Sequence, residues 1–242
     1  VFLRIRAGKK NIVLDKLYKA NIPFEAIDED CISVSQSINI ASVLQLNKET
    51  VVQDLSSQEV GTFLRSVNHS NQKNPLIKVW DCCAASGGKS ILAKDVFGKI
   101  NLTVSDIRPQ ILRNLKLRFR EAAIDHYKNF IADLSRPVSL SGKFDLVICD
   151  APCSGSGTWA RTPEMLAAFN FQQIGHYHNV QRKIISNTLP HVRKGGYFLY
   201  ITCSVFEKEN EAQARYIAAT FSATCIRSEA LKGYAPRADS MF

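Results

Sequence analysis

Residues 77–90 read Ile77-Lys78-Val79-Trp80-Asp81-Cys82-Cys83-Ala84-Ala85-Ser86-Gly87-Gly88-Lys89-Ser90. The first five form an apolar run of strand length, Gly87-Gly88 marks a turn, and the spacing that follows predicts a helix over 88–96. Strand, glycine-rich turn and helix in that order bring free helix N–H groups beside a strand end. Open α/β sheets hold the carboxylate or phosphate of a nucleotide-type cofactor in this way. The spacing is neither GxGxxG nor GxxxxGK[ST], so a generic dinucleotide or P-loop site fits poorly. An unliganded tight turn would have the same local sequence, and the residues further along weigh against it.

Downstream, short apolar runs alternate with amphipathic helices, the pattern of a parallel sheet covered on both faces. Strands are predicted over 101–105, ending at Asp106, and over 130–132, leading into Asp133. Two more are predicted over 144–149, ending at Asp150, and over 197–201. Helices are predicted over 109–122, 171–192 and 207–220. Ile111, Leu112, Leu115 and Phe119 line one side of the 109–122 helix, with Arg113, Lys116 and Arg120 on the other. Upstream, a strand over 2–6, a helix over 10–20 ended by Asn21-Ile22-Pro23 and a strand over 31–35 suggest a small α+β unit. Residues 38–46 fit neither periodicity. A linking helix over 56–67 and a polar loop over 68–75 join the parts. The expected division is a small subdomain over 1–50 and an α/β domain over 51–242.

The chain has 242 residues, 45% of them hydrophobic and 22% charged, which is ordinary for a folded globular protein. No apolar run approaches the roughly 20 residues that span a bilayer. A net charge of +9 favours a polyanionic partner, nucleic acid above all. Seven cysteines without regular spacing argue for a reducing, cytoplasmic setting over a disulfide scaffold. Cys82-Cys83 is not a CxxC pair, and His176 and His178 would point to different faces of a helix. No metal site is therefore expected.

Two other cysteines stand at strand ends: Cys153 in Asp150-Ala151-Pro152-Cys153-Ser154-Gly155, and Cys203 in Thr202-Cys203-Ser204. A free cysteine is usually a small buried hydrophobe, but two thiols beside a candidate cofactor turn point to thiol chemistry. A nucleophilic thiol needs nearby positive charge, for which Lys89 and the Arg161 segment are candidates. Asp106, about 20 residues past the turn, can accept hydrogen bonds from ribose hydroxyls, and Asp133 could reach the adenine side.

Cys83-Ala84-Ala85-Ser86-Gly87-Gly88-Lys89, Asp150-Ala151-Pro152-Cys153-Ser154-Gly155 and Thr202-Cys203-Ser204 resemble three signature motifs of the NOP2/Sun (Fmu) family of S-adenosylmethionine-dependent RNA cytosine-5 methyltransferases. Val52-Gln53-Asp54, Ser57-Gln58 and the stretch 207–211 are also similar to the family. Ser86 departs from it, standing where the family usually has proline. The resemblance implies a Rossmann-like methyltransferase domain behind an RRM-like subdomain, truncated at its C-terminal strand. It implies S-adenosylmethionine as cofactor, held by Cys83, Ala84, Ala85, Ser86, Gly87, Gly88, Lys89, Asp106, Asp133 and Asp150. Cys203 would attack carbon 6 of the base, Asp150 would hydrogen-bond it, Cys153 would assist product release, and Lys89 would tune the electrostatics. The implied partner is RNA, ribosomal first and transfer RNA second, bound by a monomer. A DNA cytosine methyltransferase using Cys153, or an RNA-binding assembly factor with a vestigial site, are the competing readings.

Overall fold

The computed structural model describes residues 1–67, 76–233 and 238–242, so the loop expected at 68–75 lies outside the described residues. The N-terminal unit contains β1 (Phe2–Ile5), α1 (Lys10–Lys19), β2 (Phe24–Asp28), β3 (Cys31–Val34) and β4 (Thr50–Val52). Its sheet runs β2-β3-β1-β4, antiparallel throughout. Val13 and Leu17 of α1 pack on Leu3, Ile5, Ile32 and Val34, whereas Ile12 and Tyr18 face solvent. Strand β2 carries exposed Glu25, Ala26 and Asp28 along a sheet edge, so its sequence gave no apolar alternation. The boundary expected at residue 50 falls inside the sheet, because β4 pairs with β1. Between β3 and β4 the chain makes only a 3-10 turn at Ile40–Ser42, which leaves this unit with one helix.

The larger unit starts with α2 (Leu55–Arg65), whose first turn is capped by Asp54 accepting from Ser56 N at 3.1 Å. Strand β5 (Ile77–Asp81), α3 (Gly88–Phe97), β6 (Ile100–Asp106), α4 (Pro109–Glu121), β7 (Tyr127–Ile131) and β8 (Phe144–Asp150) follow. The chain then forms α5 (Pro163–Ala167), α6 (Gln172–Thr188), β9 (Val192–Ile201) and α7 (Glu211–Phe221). The five strands are all parallel, in the order β7-β6-β5-β8-β9. Sequence order therefore reverses direction between β5 and β8, the point at which open α/β sheets form a ligand crevice. The third strand begins earlier than expected and stops before Asp133. Pro190 sits in a 3-10 turn, Leu189–His191, that ends the α6 region sooner than predicted.

Side-chain alternation sorts the strands onto two cores. Ile77, Val79, Leu146 and Ile148 pack with Val60 and Leu64 of α2, Ile91 of α3, and Leu115 and Phe119 of α4. Trp80, Cys82, Val147 and Cys149 face the other way, towards Ile184 of α6. The two units are joined by Asp95 of α3. It takes Arg4 Nη1 at 2.6 Å and Arg6 Nη2 at 2.6 Å, all three side chains being largely buried. Arg4 and Arg6 thus commit their charge to this junction rather than to a nucleic-acid surface.

Candidate active site

Strand parity also places the chemistry. Asp81 and Asp150 continue the Val79 and Ile148 faces, so both reach the α3 side, where Lys89 and Ser90 begin the helix. Lys89 Nζ donates to Asp150 Oδ2 at 2.8 Å, and Ser90 Oγ donates to Asp81 Oδ2 at 2.6 Å. Asp81 is fully buried and its Oδ1 has no hydrogen-bond partner among the described residues. Burial pushes its carboxyl up to about 7, only partly offset by the Ser90 bond. Burial also works against charge on Lys89, but Asp150 and then Asp81 outweigh it and hold the ammonium above the usual lysine range.

Cys153 and Cys203 meet with their Sγ atoms 3.3 Å apart, both half-buried. The hydrogen bond between them pulls Cys203 below the usual cysteine range and pushes Cys153 well above it. Burial opposes the first effect and adds to the second. Lys89 also favours the Cys203 thiolate. Arg161 pairs with Asp239 at 2.6 Å, and Cys203 lies close enough to feel both charges, Asp239 disfavouring its thiolate.

Glu209 holds the two thiol loops together, a role no single motif announced. Its carboxylate is fully buried and accepts from Ser154 N at 2.9 Å, Ser154 Oγ at 2.7 Å and Ser204 Oγ. Ser154 follows Cys153 and Ser204 follows Cys203, so one side chain sets the spacing of both sulfurs. Asn210 adds a second tie, accepting from Thr202 Oγ1 at 2.5 Å and donating to the Ser204 carbonyl at 2.8 Å. The only signal in the sequence was the resemblance of the 207–211 stretch. Gly157 N donates to the Cys203 carbonyl at 2.9 Å and closes the same junction.

The turn leading into α3 has the form a cofactor cradle requires. Ala85 at φ 46° and Gly87 at φ 85° fold it back, and the first N–H groups of α3 lack intrahelical partners. At Gly87 the need for glycine comes from packing, since an added Cβ would lie 2.4 Å from Phe119 Cε1. At Gly88 an added Cβ would make only an ordinary contact, with Gln53 Nε2 at 3.9 Å. Ser86 is held by Arg118, whose Nη1 donates to its Oγ at 2.7 Å, so the turn is pinned without the proline. Ala84 N donates to the Ser105 carbonyl at 2.9 Å, and Cys83 beside it is half-buried.

Asp106 Oδ2 accepts from Ala85 N at 3.0 Å, which ties the end of β6 to the turn. Burial would raise its carboxyl, but hydrogen bonds from the Arg108 side chain and N–H outweigh this and hold it low. The Arg108 side chain is mostly exposed and can swing away from a ribose. Asp133 lies beyond β7 and its carboxylate accepts from Ser135 N at 3.0 Å and Ser135 Oγ at 2.6 Å. Both bonds go to Oδ1, which leaves Oδ2, 3.4 Å from the exposed Arg136 Nε, able to accept a further hydrogen bond. The residues thus fit an adenosyl cofactor at the turn, with carboxylates at Asp106 and Asp133 beside it. A cavity of about 540 Å³ opens elsewhere, beside β9 and α7, lined by Phe63, Tyr197, Leu199 and Ile217. Neither the strand-end thiols nor those of the turn line it.

A five-stranded parallel sheet with a cofactor-type turn at its switch point defines a Rossmann-like methyltransferase fold. Residues 66–231 match the family model described as 16S rRNA methyltransferase RsmB/F, and the chain belongs to that family, whose members depend on S-adenosylmethionine. The chain is 28% identical over 218 residues to ribosomal RNA small subunit methyltransferase B of Xylella fastidiosa, covering 87% of this chain and 49% of that protein. It spans about half the length of the curated relatives it matches. Among solved structures, the crystal structure of PH0851 superposes with a TM-score of 0.85 at 20% identity, over 100% of this chain and 58% of that one. A methyltransferase homolog protein from Pyrococcus horikoshii gives 0.72 at 20% identity, over 90% and 69%. No helix among the described residues is long and apolar enough to cross a membrane.

Proposed function

We propose that this chain methylates carbon 5 of a cytosine in ribosomal RNA, with Cys203 as nucleophile. The observation that carries this reading is the contact between the two strand-end thiols, 3.3 Å apart, with the Lys89 charge favouring a thiolate on Cys203. It favours Cys203 over the DNA-type assignment of attack to Cys153. Family membership and the match to small-subunit rRNA methyltransferases support the substrate class.

S-adenosylmethionine would supply an electrophilic methyl group, held by the 83–89 turn and Asp106. Carbon 5 of cytosine is a poor nucleophile. Addition of the Cys203 thiolate to carbon 6 forms an S–C6 bond and moves the C5=C6 electron pair onto carbon 5, which can then take the methyl group. Asp150, oriented by Lys89, hydrogen-bonds the base and stabilises the charge that develops on its ring nitrogen. Removal of the carbon 5 proton then expels the Cys203 thiolate, and Cys153 assists this step by general acid–base action. The base must leave any stack to reach the thiols, which costs least in a loop or single strand.

A denaturing gel with labelled RNA and S-adenosylmethionine tests the assignment. Cys203→Ala should form neither adduct nor product, whereas Cys153→Ala should accumulate a covalent protein–RNA band. Adduct in Cys203→Ala and none in Cys153→Ala would reverse the roles and overturn the proposal.

A further inference from the structure

Cys82 follows β5 and Cys149 lies near the end of β8, its immediate parallel neighbour, with Cys82 N donating to the Ile148 carbonyl at 2.9 Å. Strand parity turns both thiols to the α6 face, and Cys83 brings a third sulfur from the turn. All three sulfurs lie within 4.8 Å of one another, and all three cysteines are free. Cys82 and Cys149 are fully buried, among Trp80, Leu134, Val147 and Ile184. One buried cysteine is ordinarily a small hydrophobe. Three sulfurs converging on one point form a donor set.

We infer that Cys82, Cys83 and Cys149 form a three-thiolate site for a divalent d10 ion of the zinc type. Three sulfurs each about 2.3 Å from one ion lie about 4 Å apart, so the cluster closes on an ion by shifts under about 1 Å. An all-sulfur donor set selects soft ions and disfavours magnesium or calcium. Binding exchanges three S–H bonds for three sulfur–metal bonds and releases three protons. The product carries one net negative charge, which suits an apolar surround better than three bare thiolates would. Sequence spacing pointed away from a metal because the third donor comes from a neighbouring strand, 66 residues after Cys83.

Cadmium is the probe, used on the Cys153→Ser/Cys203→Ser double variant so that the strand-end pair cannot compete. The remaining cysteines, Cys31 and Cys225, lie outside the cluster. One equivalent of cadmium should bind, with a sulfur-to-cadmium charge-transfer band and three sulfur neighbours in X-ray absorption. Calorimetry in buffers of differing ionisation enthalpy should show protons released on binding. Adding Cys149→Val, which keeps an apolar strand residue, should weaken binding by more than about 100-fold, beyond the loss of a mere outer-shell partner. Two or fewer sulfurs per cadmium, or no charge-transfer band, overturns the inference. So does unchanged affinity in the Cys149→Val background. The sulfur count is read without that third substitution, so the outcome stands even if Cys149→Val fails to fold.

Discussion

Removing Cys153 should make Cys203 a slower nucleophile even with no RNA present. The two sulfurs are 3.3 Å apart, and once Cys203 is ionised the Cys153 thiol is the one left to donate to it. A hydrogen bond to a charged group contributes about 1.5–3 kcal/mol. Without it, at a pH where the thiol form dominates, the Cys203 thiolate population falls roughly 10- to 150-fold. The remaining thiolate is intrinsically more reactive, which recovers nearly half of that loss on a logarithmic scale. Alkylation of Cys203 by iodoacetamide in Cys153→Ala should therefore slow by about 4- to 15-fold at neutral pH, with its pH midpoint moved upward. Mass spectrometry of the Cys203 peptide over time, across a pH series, reads both. An unchanged or faster rate in Cys153→Ala would refute the reasoning, as would labelling of Cys153 before Cys203 in the unmodified protein.

Gly87→Ala should destabilise the chain by about 2–5 kcal/mol, combining the left-handed backbone penalty with overpacking against Phe119. Urea unfolding should show that Phe119→Leu recovers part of this loss. A cost under about 1 kcal/mol, or strict additivity, would count against the packing account. Asp81, raised to about 7 by burial, favours folding while protonated, so its contribution is full below the unfolded carboxyl value and is lost as pH rises through about 7. Asp81→Asn should therefore gain stability relative to the parent between pH 5 and pH 8, by at most about 4 kcal/mol. Melting temperatures whose difference does not change over that range would exclude a buried titrating acid.

The parallel α/β core and the clustering of chemistry at its strand ends were legible because buried strands are continuous apolar runs and the turn is short. Asp106, Asp150, Cys153 and Cys203 all close such runs, or follow them within three residues. Strand β2 was not legible, since an edge strand bearing Glu25 and Asp28 has no buried face to declare itself. The destination of Arg4 and Arg6 was also hidden. A formal charge reads as surface charge until a distant partner such as Asp95 is known, 91 residues from Arg4. Glu209 looked like one acid in a polar stretch because its partners, Ser154 and Ser204, lie on two separate loops. The Cys82, Cys83 and Cys149 group depends on which strands are neighbours, and spacing along one chain does not encode that.

The Asp95 junction has a mechanical consequence. Two guanidinium groups, one on β1 and one just past its end, converge on a single carboxylate of α3, and Arg6 Nη1 also grips the Ala122 carbonyl at 2.7 Å. Separating the small sheet from the larger unit would break these charge-assisted bonds together, at about 1.5–3 kcal/mol for each. The small sheet is thus a fixed wall rather than a hinged flap. A polymer threading past it would meet one rigid contour, and a pulling experiment should record the two units yielding in a single rupture.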